Sequence, residues 1–219
     1  MKISIIIPVL NDSHALAALL PSLANSSAEI IVVDGGSTKL PQELVEQYGA
    51  RLVTSAAGRA TQMNVGAKQA TGDVLLFLHA DSQLPDSFES AIQSGMEAGR
   101  EWGRFDVQLS GQHPMLRVVE WMMNQRSRLT GVCTGDQGIF LTKHAFENVG
   151  GYPEIPLMED IELSVRLKAA PYCIRQKLVT SSRRWEEKGV YQTIWLMWSL
   201  RLRYFFGASP ESLVQRYYG

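Results

Sequence analysis

The 219 residues suffice for one α/β domain with a full core, and 45% hydrophobic with 20% charged residues is ordinary for a globular chain. A formal net charge of −1 gives no argument for a nucleic-acid partner. The charge is uneven, however: residues 175–219 hold eight Lys/Arg against three Glu, a net of +5 on a body of net −6, which suits either an anionic contact (diphosphate, lipid headgroups) or a solvated helical face.

Lys2 leads an apolar run that Pro8 interrupts, with no small-residue cleavage site after it, so the start reads as a strand rather than a signal peptide. KISIIIPV (2–9), EIIVVD (29–34), RLVTS (51–55) and DVLLFLH (73–79) are unalternated apolar runs, as strands buried on both faces require. Helices are predicted between them at 13–24, 41–48 and 58–71, with Pro41 in a first turn and Pro21 breaking or kinking the first helix. Strand–helix–strand repeats of this length imply right-handed crossovers and a mostly parallel sheet flanked by helices.

After Pro85 the rhythm changes. Asp86 and Glu89 suggest a capping box for a helix to about residue 98. RFDVQLS (104–110) reads as a strand, 114–129 as an amphipathic helix, GIFL (138–141) as a short strand, and Thr142 as the cap of a brief helix. Residues 158–169 and 187–206 are predicted helical, and Ser209-Pro210-Glu211 starts a last one, giving a helical C-terminal portion. The longest uncharged stretch there, Gly189–Leu200, has twelve residues, short of the roughly 20 that a spanning helix needs. Cys133 and Cys173 have no partner at chelating spacing and read as reduced thiols of a cytosolic protein. One domain, 1–219, is expected, in portions 1–85, 86–185 and 186–219.

Ligands of open parallel sheets bind beyond the carboxyl ends of the strands. Three such ends are polar: Pro8-Val9-Leu10-Asn11-Asp12, Asp34-Gly35-Gly36-Ser37 and His79-Ala80-Asp81. Singly each is a turn or a cap; together they point to one cleft. Asp34 can accept a hydrogen bond from a nucleobase imide N–H, and Gly35-Gly36 lets the backbone approach a flat ligand. Arg59, in the first turn of a helix, suits a diphosphate neighbour, and Asn64 either serves the same ligand or caps or bridges backbone. Asp81 can hold a hard divalent ion against a diphosphate, with His79 and Gln83 two residues to either side as further donors if the chain stays extended. Histidine suits manganese better than magnesium.

SIIIPVLND, IIVVDGGS, the Arg59–Asn64 helix, FLHADSQLP and MEDIEL occur in the order seen in family-2 glycosyltransferases, which the chain resembles over most of its length. Within that family, GRATQMNVGA (58–67) and the closing RRW…SPE (183–211) are most similar to a small bacterial branch with radical-SAM or selenoprotein-type neighbours. The resemblance implies a GT-A fold, Rossmann-like and nucleotide-binding over 1–85, with an acceptor half over 86–185. It implies inverting, metal-dependent transfer from a nucleoside-diphosphate sugar, with Mn2+ or Mg2+ as cofactor. Pro8 and Leu10 would border the base, Asp34 would bond it, Arg59 would sit by base or phosphate, and Asp81 would bind the metal. His79 stands where the family usually has aspartate.

Inverting transfer needs a base for the acceptor hydroxyl. The resemblance gives that role to Asp160, crowded by Glu159 and Glu162, where like charges raise carboxyl pKa values; the same residues also suit an acidic helix start with a Glu162–Arg166 pair. Asp136 and Asp106 are candidates for sugar or acceptor hydroxyls, Trp102 for stacking on a sugar, and Arg184-Trp185 matches the family's basic-Trp motif without its leading residue; each also has a purely structural reading. Nucleotidyltransferases lack support because IPVLNDSHA is no Gly-rich phosphate loop, and a non-catalytic nucleotide-sugar-binding module would have no use for Asp160. The aromatics of 187–206 with Arg201 and Arg203 suggest core packing for the inner stripe and weak contact with anionic lipid outside it. That reading sets the chain at the inner face of the plasma membrane, with a lipid or otherwise hydrophobic acceptor.

Overall fold

The computed structural model describes residues 1–39 and 42–218, and the first-turn role expected of Pro41 falls outside them. Strands β1 (Ile3–Val9), β2 (Glu29–Asp34), β3 (Arg51–Thr54) and β4 (Val74–Phe77) lie parallel in the order β3-β2-β1-β4. The sheet continues through β7 (Phe140–Thr142), antiparallel to β4, then β6 (Trp102–Leu109), β8 (Tyr172–Thr180) and the two-residue β5 (Ser82–Gln83). This is an α/β fold around one eight-stranded, mixed sheet.

Alternation along β1 fills both faces, as its unbroken apolar run requires. Ile5 and Ile7 pack with Leu16, Leu19 and Leu20 of α1 (Ser13–Leu23) on one side. Ile6 meets Met63 and Ala67 of α3 (Arg59–Gln69) on the other. α3 lies so close that a Cβ on Gly66 would come within 2.4 Å of Ile6 Cγ2. Helix α1 runs through Pro21 to Leu23, so the proline lies inside its last turn and does not break it.

Two expectations fail for local reasons. The Asp86–Glu89 box does not form: α4 (Phe88–Glu97) starts after Ser87, and Glu89 instead accepts from Ser26 Oγ and from the Ser27 N–H and Oγ. The helix expected over 187–206 splits into α8 (Arg183–Lys188) and α9 (Val190–Phe205) at Gly189, whose φ of +83° no helix accommodates. β8 has no clear sequence signal, because its register against β6 jumps from Phe105↔Ile174 to Asp106↔Lys177, and Arg175 and Gln176 in the bulge break the pattern. The remaining helices are α2 (Gln42–Gln47), α5 (Pro114–Thr130), α6 (Lys143–Asn148, capped by Thr142 as expected), α7 (Glu159–Arg166) and α10 (Pro210–Tyr218).

Candidate active site

The carboxyl ends of β1 and β2 are laced together. Gly35 N–H donates to Val9 O at 2.9 Å, Asn11 N–H to Ser37 Oγ at 2.7 Å, and Thr38 N–H to Asn11 Oδ1 at 2.9 Å. Asn11 takes a left-handed φ of +54°, which turns the chain out of β1. Among the described residues the buried Asp34 carboxylate accepts only the Ser37 N–H, at 3.1 Å to each oxygen, and keeps lone pairs for another donor. Pro8 is half-buried and Leu10 exposed beside it.

Gln62, which sequence reasoning passed over inside GRATQMNVGA, joins these strand ends from below. Its buried Nε2 donates to Val9 O and to Val33 O, both at 2.8 Å, and its side chain lies where a Cβ on Gly35 would come within 3.0 Å. Its signal was an amide among residues otherwise facing the sheet, since α3 buries Ala60, Met63, Gly66 and Ala67 on the same stripe. Asn64 bridges backbone: it donates to Tyr152 O at 2.8 Å and accepts Tyr152 N–H at 2.9 Å.

After β4 the chain does not stay extended. Ser82 N–H donates to His79 O at 3.1 Å, a turn that swings His79 away from Gln83, which pairs with Val179 in β5. The three-donor strip His79–Asp81–Gln83 is therefore not built. His79 Nδ1 faces Asp136 Oδ1 at 3.4 Å, and its buried Nε2 has no hydrogen-bond partner among the described residues. A Cβ on Gly135 would come within 2.5 Å of that nitrogen, so only glycine fits there.

That glycine belongs to the segment Thr134–Gly138, which joins the strand ends to α7. Thr134 and Gln137 form a reciprocal capping box around the short 3-10 turn Gly135–Gln137, a signature legible in TGDQ. Gly135 N–H donates to Asp160 Oδ2 at 2.8 Å, while Asp160 Oδ1 accepts Ile161 N–H at 2.7 Å. Met158, just before α7, holds a left-handed φ of +71°, and such strain collects at functional sites. Arg59 Nη1 reaches Glu159 Oε1 at 3.3 Å and couples the start of α3 to the start of α7.

Electrostatics tie the groups further. Burial first and then the Asp160 charge raise the Glu159 carboxyl above its ordinary range, against the pull of Arg59. Desolvation by its turn, followed by the Asp136 and Asp12 carboxylates, raises Asp81 against His79. Asp136 goes the other way: burial opposes its charge, but the His79 hydrogen bond and charge, with Arg59 and Arg201, hold it below the usual range. Among the described residues no group of three His, Cys, Asp or Glu is arranged to hold a metal ion. The hard carboxylates Asp81, Asp136 and Asp12 nevertheless suit a cation that completes its shell from a ligand's own oxygens.

Other candidates lie elsewhere. Trp102 is fully buried and donates Nε1–H to Ala169 O at 2.8 Å, so no sugar can stack on it. Asp106 binds Arg104 and, at 2.5 Å, Arg128, beside a separate cavity of about 480 Å³ that also includes Trp121 and Arg175. Arg184 donates to Tyr217 O at 2.6 Å, with its guanidinium 3.5 Å over the Tyr217 ring. Trp185 packs on the apolar cluster of Val107, Leu109 and Leu116. Of the RRW segment it is Arg183 that reaches the strand ends, 3.4 Å from Asp12.

The family model described as "Glycosyl transferase family 2" matches residues 4–143. The chain belongs to this family. The match takes in Asp34, Arg59, Gln62, Asp81 and Asp136, and it ends before Asp160. Among curated proteins the chain is similar to the "Probable glycosyltransferase YdaM" of Bacillus subtilis, 23% identical over 94% of this chain and 55% of that protein. It is also similar to the "Succinoglycan biosynthesis protein ExoA" of Rhizobium meliloti, 27% identical over 78% of this chain and 59% of that protein. A 96-residue stretch is 33% identical to the "Poly(ribitol-phosphate) beta-N-acetylglucosaminyltransferase TarS" of Staphylococcus aureus, covering 38% of this chain and 17% of that one. The chain thus spans less than two thirds of these relatives. A crystal structure of that TarS superposes with a TM-score of 0.68 at 21% identity, over 83% of this chain and 61% of that one. A mannosyltransferase from Pyrobaculum calidifontis gives 0.62 at 18% identity, over 81% and 56%. These likenesses show the fold, the GT-A arrangement of family-2 glycosyltransferases.

Proposed function

We propose that the chain transfers a sugar from a nucleoside-diphosphate sugar to an acceptor hydroxyl, with inversion at the anomeric carbon. The observation that supports this most is the Gly135–Asp160 hydrogen bond of 2.8 Å. It ties the acidic start of α7 to the loop that carries Asp136, which faces His79 just before Asp81. Each Asp160 oxygen accepts one backbone N–H and keeps a lone pair free for an incoming hydroxyl proton.

In this reading Asp34 accepts from the base, Pro8 and Leu10 border it, and Arg59 stands by a phosphate. The acceptor oxygen forms its bond to the sugar carbon as the diphosphate leaves from the opposite face, and the hydroxyl proton passes to Asp160. A Mg2+ or Mn2+ ion held by Asp81 and the donor's phosphate oxygens would supply positive charge to the leaving group. Asp136, turned by His79, is the next nearest carboxylate to that role. Residues 1–85 then serve the donor and 86–185 the acceptor. The finer assignment to the branch with radical-SAM or selenoprotein-type neighbours rests on residues 58–67 and 183–211.

A second surface bears on the acceptor. Tyr191, Trp195, Trp198, Leu202 and Phe205 recur at helical spacing on α9, and all five are exposed. No helix among the described residues is long and apolar enough to cross a membrane. An aromatic stripe on a segment of net +5 fits the interface of an anionic bilayer. We therefore read the protein as cytosolic and bound reversibly at the inner face of the membrane, with a hydrophobic acceptor. A relative named an undecaprenyl-phosphate 4-deoxy-4-formamido-L-arabinose transferase, from Yersinia pestis, is 30% identical over 64% of this chain and 47% of its own length, and its name includes a lipid phosphate.

The test is a panel of nucleotide sugars incubated with the protein and manganese, assayed for released nucleoside diphosphate. Among the fold neighbours TarS is known in complex with UDP-GlcNAc and the Pyrobaculum mannosyltransferase with GDP-Man and Mn2+, so the panel spans both bases. Release that needs manganese and is lost in Asp160→Asn supports the reading; binding with no release, even with acceptor extracts, leaves a nucleotide-sugar-binding module.

A further inference from the structure

Two guanidiniums beside Asp160 have no role in the scheme above. Among the described residues Arg126 on α5 makes only two long hydrogen bonds, to Val132 O at 3.4 Å and Thr134 Oγ1 at 3.5 Å. Arg201 on α9 makes neither a hydrogen bond nor an ion pair among the described residues, and both side chains are half-buried.

Packing brings both to the same spot. Thr134, which Arg126 touches, precedes the glycine whose N–H holds Asp160. Leu200, next to Arg201, packs with Leu157 and Met158 at the entry of α7. Tyr204, one turn further along α9, donates to Glu162 Oε2 at 3.2 Å. The two arginines therefore lie within electrostatic reach of Asp160 near the start of α7, where Arg59 is already occupied with Glu159. They also oppose each other: burial first and then the Arg201 charge pull Arg126 down to about 10. Burial lowers Arg201 as well, against the attraction of Asp160 and Asp136. Two like charges, drawn out of water without a carboxylate in contact, cost stability unless an anion joins them.

We propose that Arg126 and Arg201 form an oxyanion subsite beside Asp160 that holds a phosphate or carboxylate group of the acceptor. Paired guanidiniums match the geometry of such groups, and each offers planar N–H donors. An acceptor anchored there would present a neighbouring hydroxyl to Asp160. Assigning the anion to the acceptor rests on the transfer reading above; binding of the anion does not.

The experiment titrates the full chain with methyl phosphate and, separately, with acetate, followed by heteronuclear NMR without donor, first without metal and then with Mg2+. Saturable shifts at the Arg126 and Arg201 side chains and the Gly135 amide are expected with at least one probe, and the probe that binds tells phosphate from carboxylate. Arg126→Gln and Arg201→Gln should each weaken binding roughly tenfold or more, the usual worth of a charged hydrogen bond, while Arg201→Lys loses less. Asp81→Ala should leave it unchanged. Since Arg201 bonds to nothing in the described chain, its replacement should fold, which a thermal melt checks. Absence of binding by both probes, or unaltered affinity in both glutamine variants, overturns the subsite. Binding that appears only once Mg2+ is added and vanishes in Asp81→Ala assigns the anion to the donor's diphosphate and overturns the acceptor assignment. Because no turnover is measured, a donor panel that fails leaves these outcomes readable.

Discussion

Gln62→Glu is the most informative single change, because it alters one atom of a buried side chain. In the native protein Nε2 donates to two carbonyls, Val9 O and Val33 O, each at 2.8 Å. Removing both bonds with the similarly sized Gln62→Met should cost about 1–3 kcal/mol, at roughly 0.5–1.5 kcal/mol per net hydrogen bond. For a chain of this size that lowers Tm by about 2–12 °C. Glutamate is worse at neutral pH, since an ionised oxygen would face two carbonyl oxygens in a buried site. Its folded-state pKa must then lie above the unfolded value of about 4.3, so its deficit is small below that pH and grows as pH rises through the folded pKa. Urea denaturation of wild type, Gln62→Met and Gln62→Glu at several pH values between 5 and 8 measures this. The Glu variant should fall below Met at pH 8 and recover toward pH 5. A Glu variant as stable as wild type throughout that range would refute the idea that this amide holds the two strand ends together.

Gly66→Ala should destabilise by about 1–3 kcal/mol through overpacking against Ile6 and Val33, read as a lower urea midpoint with unchanged slope. Asp160→Asn should keep donor binding near wild type and lower turnover by about 10²–10⁴-fold; unchanged turnover with any accepted acceptor removes Asp160 as the base. Asp81→Ala should lose metal-dependent nucleotide affinity in calorimetry while staying folded, and His79→Asp should do that affinity no harm; equal affinity of wild type with and without EDTA argues against the metal. Wild-type protein should float with phosphatidylglycerol vesicles at physiological salt, and Trp195→Ser with Trp198→Ser should reduce the floating fraction; protein that stays at the bottom assigns the stripe to another contact.

The parallel half of the fold was legible because burial on both faces forces unbroken apolar runs, and 2–9, 29–34, 51–55 and 73–79 are such runs. The candidates Asp34 and Asp81 come from the same runs, as the first carboxylates where those runs end. Glycines with turn-forming neighbours marked the loops around them. What the sequence by itself could not determine was which of the later polar residues converge. His79 looks like a partner of Asp81 and Gln83 until a 3.1 Å turn bond sends it to Asp136. Arg184 and Trp185 look like ligand contacts, yet one stacks on Tyr217 and the other fills an apolar cluster. Asp160 meets Gly135, and Arg59 meets Glu159 across a separation of 100 residues. Such encounters depend on how helices cross the end of the sheet, and their energies come from pairs distant in the chain. Local propensity and periodicity hold no record of those pairs; only the packed tertiary structure decides them.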